Sequence, residues 1–315
     1  MTTPRITAAI CTYNRYDLLP KAIASLTQQT LDHGDFEILV IDNSPDRDKS
    51  KAMSVPFLAI PNLKWVIEKT PGLSNARNVA THMARAPFVA FMDDDAIARP
   101  SWRQALRGSF GEFGEAARGV GGRVDPLWEM PRPAWLPENL LGYVSVVNWG
   151  GAARFAAEGE WVAGTNIAFR VEALNKVGGF PVHLGRKQGG HALLSNDESD
   201  VVERMTAQGA RLIYVPEAVV EHLVPADRLA QSWFRRRAAW QAVSDYLADP
   251  ARAFENAPKY WGGVTNYYAK LPAQYRTPRG LYVEQQDPDM FQMQISALYN
   301  FTLALLAGFR GVDGS

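Results

Sequence analysis

The sequence predicts an α/β fold, a mostly parallel, doubly wound sheet followed by a helical extension at the carboxyl end. Three observations predict it. Short apolar runs alternate with helical patterns through the first half of the chain, the rhythm of strands crossing over through helices. Polar clusters sit directly after several of the apolar runs, where open parallel sheets bind their ligands. Beyond His222 the pattern turns helical.

Taken in order, Ile6–Cys11, Phe36–Ile41, Lys64–Ile67 and Phe88–Met92 are apolar runs of strand length bounded by polar or turn residues. Between them, 17–29 and 74–85 carry apolar residues at three-and-four spacing and predict helices. From Asp125 to Trp161 the texture changes to Pro126, Pro131, Pro133 and Pro137 with Trp128, Trp135, Trp149 and Trp161. So long an irregular stretch is usually functional or disordered, and its aromatic content argues against disorder. The tryptophans suit either stacking on sugar rings or a lid packed onto the core. Order resumes with 166–170, a helix from Asp197 to about Ala207 and a strand at 211–215. A long helix over 227–247 and an apolar segment over 295–309 complete the chain. The expected domains are 1–225 and 226–315.

Composition narrows the class. The 315 residues are 47% hydrophobic and 21% charged, ordinary for a globular chain with a substantial core. Lys plus Arg and Asp plus Glu are both 33, so no basic excess argues for a nucleic-acid partner. The single cysteine, Cys11, precludes an intrachain disulfide and suggests a reducing compartment. The first residues lack the pattern of a secretory signal, and no segment offers the ~20 apolar residues a spanning helix needs. The expected location is cytoplasmic, with a peripheral contact at the inner membrane as a further reading.

The polar clusters carry the chemistry. Thr12-Tyr13-Asn14-Arg15 follows the first run, Asp42-Asn43-Ser44 the second and Asp93-Asp94-Asp95 the fourth. Three adjacent carboxylates repel unless a cation or donors neutralise them. Hard oxygen ligands at a strand end suit Mg²⁺ or Mn²⁺, which complete their shells with substrate phosphates, although a solvated acidic turn has the same composition. Asn196-Asp197-Glu198-Ser199-Asp200 opens a helix. Acids favour a first helical turn for dipole reasons alone, yet one of them within hydrogen-bond reach of an acceptor hydroxyl would serve as a general base. His222, just past a strand, is either a structural residue or a third ligand for Mn²⁺ beside carboxylates.

CTYNR, VIDNSPD, PGLSNARNVA, FMDDD, GTNIAFR, GGF and NDESDVVERM occur in the order found in family 2 glycosyltransferases of the GT-A fold, which the chain resembles over about residues 5–240. The resemblance implies a soluble enzyme that moves a sugar from a nucleotide-sugar to an acceptor hydroxyl with inversion. It places Thr12, Tyr13 and Asn14 along the nucleotide and Asp42 on its base. Gly72, Asn75 and Arg77 lie in a segment that closes on the donor. Asp93 and Asp95 match the outer positions of the DxD motif, with Asp94 between them; Asp93 would meet the ribose and the metal, and Asp95 the metal. His222 matches a position that reaches the metal, taken as Mn²⁺ or Mg²⁺. Gly164, Thr165 and Asn166, with Trp161 nearby, fall where the family lines its acceptor and donor-sugar pocket. The family's base is the second acid of a Glu-Asp pair. Here the order is Asp197-Glu198, which leaves either carboxylate open; alignment favours Glu198. The implied acceptor is a glycan or a lipid-linked sugar. A sugar nucleotidyltransferase would show a Gly-rich basic loop where TYNR stands. A non-catalytic carbohydrate-binding protein would have no need of every acidic motif.

The carboxyl-terminal region has two readings. Trp233, Phe234, Arg235, Arg236, Arg237 and Trp240, with 295–309, suit helices lying on an anionic membrane surface. They equally suit packed helices whose arginines sit in salt bridges.

Overall fold

The computed structural model describes residues 4–30, 35–186 and 192–310. Its strands are β1 (Ile6–Thr12), β2 (Phe36–Asp42), β3 (Leu63–Ile67), β4 (Phe88–Asp93), β5 (Ala96–Ala98), β6 (Ala117–Trp128), β7 (Arg154–Phe155), β8 (Ile167–Arg170) and β9 (Arg211–Val224). The helices are α1 (Leu19–Thr27), α2 (Arg47–Ser54), α3 (Leu73–Met83), α4 (Trp102–Glu112), α5 (Val171–Lys176), α6 (Asp197–Thr206), α7 (Gln231–Ala248), α8 (Pro250–Glu255), α9 (Ala257–Lys270) and α10 (Pro288–Arg310).

The sheet runs in the order β3-β2-β1-β4-β8-β6-β9-β5, with β7 paired to β9. β1 pairs in parallel with β2 and β4, and β2 with β3. From β4 outward the described pairings are antiparallel: β4 with β8, β6 with β8, and β5 with β9. The parallel half is what the alternating strand and helix signals predict. Its strands are apolar on both faces because helices cover both. Along β1, Ile6, Ala8 and Ile10 join a core with α1 and α4, while Ala9 joins a second core with α3, α5 and α6.

Several boundaries differ from the sequence reading. α1 begins at Leu19 with Pro20 in its first turn, where a missing N–H costs nothing. β9 continues to Val224, well past 215, and so carries His222 within the sheet. β6 begins at Ala117 and takes in Asp125–Trp128, the start of the stretch read as irregular. Gly121 and Gly122 explain why its pattern is faint. A Cβ on Gly121 would lie 2.0 Å from Val162, and one on Gly122 2.0 Å from the Ala218 carbonyl.

The chain divides into two compact units. The first comprises Met1–Leu127, Ser145–Gly189 and Asp197–Leu223; the second comprises Trp128–Val144, Gly190–Asn196 and Val224–Ser315. The second unit is a helical assembly. Trp233 and Phe234 are buried in an aromatic cluster with Trp135 and Phe291, and Trp135 packs on Phe291 at 4.9 Å between centroids. Arg235 is buried and paired with Glu284 at 2.5 Å. Arg237 lies over the Tyr143 ring, and Ile295, Leu298 and Leu303 of α10 are buried. The packed reading therefore fits Trp233, Phe234 and Arg235, which are buried. Among the described residues no helix is long and apolar enough to cross a membrane.

Candidate active site

The site is built from the strand ends of the first unit. β4 ends at Asp93, so Asp94 and Asp95 lie beyond the hydrogen-bonded ladder. Asp95 is brought against His222 by β5: Ala96 is the ladder partner of His222, and the Leu223 N–H donates to the Asp95 carbonyl at 3.0 Å. His222 Nε2 consequently stands 3.3 Å from Asp95 Oδ1, with both side chains at most 4% exposed. One ligand atom each from Asp93, Asp95 and His222 lie within 4.8 Å of one another. Two carboxylates and an imidazole form a donor set that an oxygen-preferring divalent ion such as Mn²⁺ can accept. His222 Nδ1 is buried and has no hydrogen-bond partner among the described residues, so Asp95 at Nε2 is the contact that orients the ring.

Asp94 points elsewhere. Its carboxylate accepts from Thr12 Oγ1 at 2.7 Å and lies 3.3 Å from Arg15 Nη1. Burial pushes Asp94 up to about 7, against the attraction of Arg15 and with a further push from Asp95. Arg15 also donates to Asp95 Oδ2 at 2.8 Å. One guanidinium thus offsets part of the repulsion along the acidic run.

Across the site stands Arg77 of α3, 3% exposed. Nη1 donates to Asp197 Oδ2 at 2.7 Å and lies 3.6 Å from Glu198 Oε2; Nη2 lies 3.9 Å from Asp93 Oδ1. The guanidinium is seated over Phe91 and Phe180. Gly164 is close beside it: a Cβ there would stand 2.3 Å from Arg77 Nη2. Asp197 is fixed further by Ser74 Oγ, which lies 3.3 Å from it. Glu198 is more open at 22% side-chain exposure. Desolvation and then the neighbouring Asp197 push it up to about 8, while Arg77 pulls the other way. Such a carboxyl can exchange a proton near neutrality, which suits acid–base work. Asp197 is instead held by Arg77 and Ser74.

Residues 7–139 match the glycosyl transferase family 2 sequence profile. Over that segment the chain is similar to family 2 glycosyltransferases. The chain is 28% identical over 97% of its length, and 95% of the relative's, to a glucosyl-dolichyl phosphate glucuronosyltransferase of Haloferax volcanii. It is 25% identical over 81% of its length to the succinoglycan biosynthesis protein ExoM of Rhizobium meliloti, covering 79% of that protein. Its fold is similar to a solved mannosyltransferase from Pyrobaculum calidifontis, with a TM-score of 0.59 and 19% identity over 99% of this chain and 88% of that one.

The fold brings most of the expected site residues to one end of the sheet. Asp93, Asp95 and His222 cluster, and Arg77, Asp197 and Glu198 form a second group joined to Asp93 through Arg77. Thr165 Oγ1 accepts from the Asp93 N–H at 3.3 Å. Gly72, at φ +116°, starts α3, and its carbonyl accepts from Asn43. Asn75 is partly buried and donates to the Thr70 carbonyl. Tyr13 is half-buried, and Trp161 is exposed and set edge-on to Trp149. Asn14 adopts φ +57°, and its N–H donates to Ser44 Oγ.

Two expected residues are otherwise engaged. Asn166 is fully buried; it accepts from Trp102 Nε1 and donates to the carbonyls of Arg123 and Ala218. These bonds brace the strands. Asp42 is also fully buried. Oδ1 accepts from the Ser44 N–H and Oγ, and Oδ2 from Tyr16 and Ser50. Contact with a nucleobase requires one of these donors to give way. The pattern reading passed over Arg15 and Ser74 as site residues. Arg15 adjoins the Thr12–Asn14 cluster, a signal that was present; Ser74 has no signal beyond its place in the first turn of α3.

Proposed function

We propose that the chain catalyses inverting, metal-dependent transfer of a sugar from a nucleotide-sugar donor to an acceptor hydroxyl. The observation that carries the reading is the single arginine joining a three-ligand cluster to a carboxylate that titrates near neutrality: Arg77 lies 3.9 Å from Asp93 and 3.6 Å from Glu198. Metal site and proton acceptor are thereby held in register.

Asp93, Asp95 and His222 would hold Mn²⁺ or Mg²⁺. Once bound, the ion would supply Lewis-acid stabilisation of the leaving diphosphate. The chain's own residues do the rest. Thr12, Tyr13 and Asn14 line the nucleotide, and Asp42 stands beneath it. Arg77, fixed by Asp197, places positive charge beside the donor's diphosphate. Glu198 takes the proton from the acceptor oxygen as it attacks the anomeric carbon. The diphosphate leaves from the opposite face, so a single displacement inverts that centre. Trp161, Gly164 and Thr165 border the sugar pocket. The Pyrobaculum enzyme was solved with GDP-mannose and Mn²⁺, which supports a nucleotide-sugar donor and a divalent ion. The Haloferax relative is named for a lipid-linked substrate, which supports a lipid-linked or glycan acceptor.

The test is donor turnover. Nucleotide release from a panel of UDP- and GDP-sugars should require Mn²⁺ or Mg²⁺ and vanish in Asp95→Ala. Undiminished turnover in excess EDTA would sink the reading.

A further inference from the structure

Arg15 is a cation placed beside the carboxylates expected to hold another. It leaves the end of β1 after Asn14, whose φ of +57° is a left-handed turn that asparagine tolerates better than most residues. The turn is held in place. The Asn14 N–H donates to Ser44 Oγ at 2.8 Å, and the Arg15 carbonyl accepts from the N–H groups of Leu18 and Leu19, both at 3.2 Å. The guanidinium then reaches along the acidic run. Nη1 lies 3.3 Å from Asp94 Oδ1, and Nη2 donates to Asp95 Oδ2 at 2.8 Å. The two carboxylates are 6% and 2% exposed, Arg15 37%. These residues and His222 all lie in the first unit.

The two oxygens of Asp95 thereby have different neighbours. Oδ1 stands 3.3 Å from His222 Nε2, and Oδ2 is bonded to Arg15. A carboxylate so engaged presents one oxygen to an ion rather than two, which leaves coordination positions for substrate phosphate. Asp94 anchors the arrangement from the other side, because its Oδ2 accepts from Thr12 Oγ1 at 2.7 Å while Oδ1 faces Arg15. Bracing the loop does not by itself explain the charge. Thr12 braces Asp94 with a neutral hydroxyl, whereas a guanidinium on a ligand carboxylate opposes an incoming cation. The same guanidinium favours the assembled site once a diphosphate brings negative charge to it.

We propose that Arg15 is a positioning residue that couples the ion to the donor. It holds Asp95 to one metal-facing oxygen, so that a divalent ion binds weakly by itself and tightly together with the nucleotide diphosphate. The inference rests on Asp93, Asp95 and His222 being the metal ligands.

The experiment uses the full chain and reads equilibrium binding. Mn²⁺ is titrated alone, with the free ion followed by electron paramagnetic resonance. ADP, CDP, GDP, UDP and dTDP are titrated by calorimetry with and without Mn²⁺, and the tightest is carried forward. Coupling is the factor by which Mn²⁺ tightens the nucleotide, and it is reciprocal. In Arg15→Ala, Mn²⁺ alone should bind about threefold tighter or more, because a like charge has gone. The coupling factor should fall by about fivefold or more. A purely structural Arg15 would instead weaken ion and nucleotide together. Arg15→Lys keeps the charge on a single donor group and should lie between wild type and Arg15→Ala on both readings, so it carries the test if the alanine variant does not fold. Mn²⁺ binding that is unchanged or weaker in Arg15→Ala overturns the proposal, and so does an unchanged coupling factor. A wild type that binds Mn²⁺ neither alone nor with any of the five nucleotides removes the metal reading itself, and the proposal falls with it.

Discussion

Arg77 and Asp197 form a buried ion pair, Nη1 to Oδ2 at 2.7 Å, with both side chains 3% exposed. The pair joins the third helix to the start of the sixth, and it sets two adjacent carboxylates apart. Asp197 is bonded to Arg77; Glu198 is farther from the guanidinium, more open, and pushed up to about 8 by desolvation and then by Asp197.

That division predicts different consequences for neighbouring substitutions. Asp197→Ala takes the nearest partner from a buried guanidinium but leaves Glu198 at 3.6 Å and Asp93 at 3.9 Å, so it should cost less than the about 3–5 kcal/mol of a buried charge stripped of every partner. Glu198→Gln removes a proton acceptor while keeping shape. It should unfold in urea close to wild type, retain nucleotide-sugar binding and lose turnover by about 10²–10⁴-fold. A dead Asp197→Asn beside an active Glu198→Gln would reverse the two roles.

The pH profile follows from the same carboxyl. Glu198 lies above its ordinary value of 4.5, at about 8, so in the free enzyme it is mostly protonated at pH 7. A base must be ionised, so kcat/KM should rise with pH and level off above about 8. The sign for stability is opposite. The fold favours the protonated form, so this group's contribution is complete below 4.5 and lost as pH rises through about 8. A kcat/KM that is flat from pH 6 to 9 would remove Glu198 as the base.

Gly164 offers a steric test of Arg77. A methyl group there would fall 2.3 Å from Nη2, so Gly164→Ala must displace the guanidinium from its present seat or shift the Gly164 backbone. Turnover should fall at least tenfold, with donor KM rising, because Arg77 is expected to face the diphosphate. Wild-type kinetics in Gly164→Ala would show that Arg77 does not need this seat.

Much of this arrangement was legible in the residues. The strand-end clusters marked Thr12, Asp93 and Asp95 because a parallel sheet presents its loops at one edge. The motif order pointed to Arg77 and His222. What escaped has physical causes. β6 was masked by Gly121 and Gly122, which close strand approach requires and which pattern reading takes for loop. Asn166 looks like a pocket residue by motif, yet its amide is spent on strand carbonyls. Asn166→Ala would leave those carbonyls short of a donor, at about 1–3 kcal/mol for each one stranded, and a denaturant midpoint would report it. The basic and aromatic run at Trp233–Arg237 reads as a surface feature by composition, but α7 is covered on more than one side, by Trp135 and Tyr143 and by Phe291 of α10, so the three successive residues Trp233, Phe234 and Arg235 are all buried.

The central claim is that Asp93, Asp95 and His222 hold a divalent ion through which a nucleotide-sugar is bound. Its most direct test is a thermal-shift screen of UDP- and GDP-sugars, each with and without Mn²⁺, on wild type and Asp95→Ala. A ligand at about a hundred times its Kd stabilises by about 2.7 kcal/mol, enough to raise Tm by several degrees. The account predicts such a rise for at least one nucleotide-sugar with Mn²⁺ present, and its disappearance without Mn²⁺ or in Asp95→Ala. A rise of equal size without Mn²⁺ and in Asp95→Ala, or no rise with any donor, would contradict it.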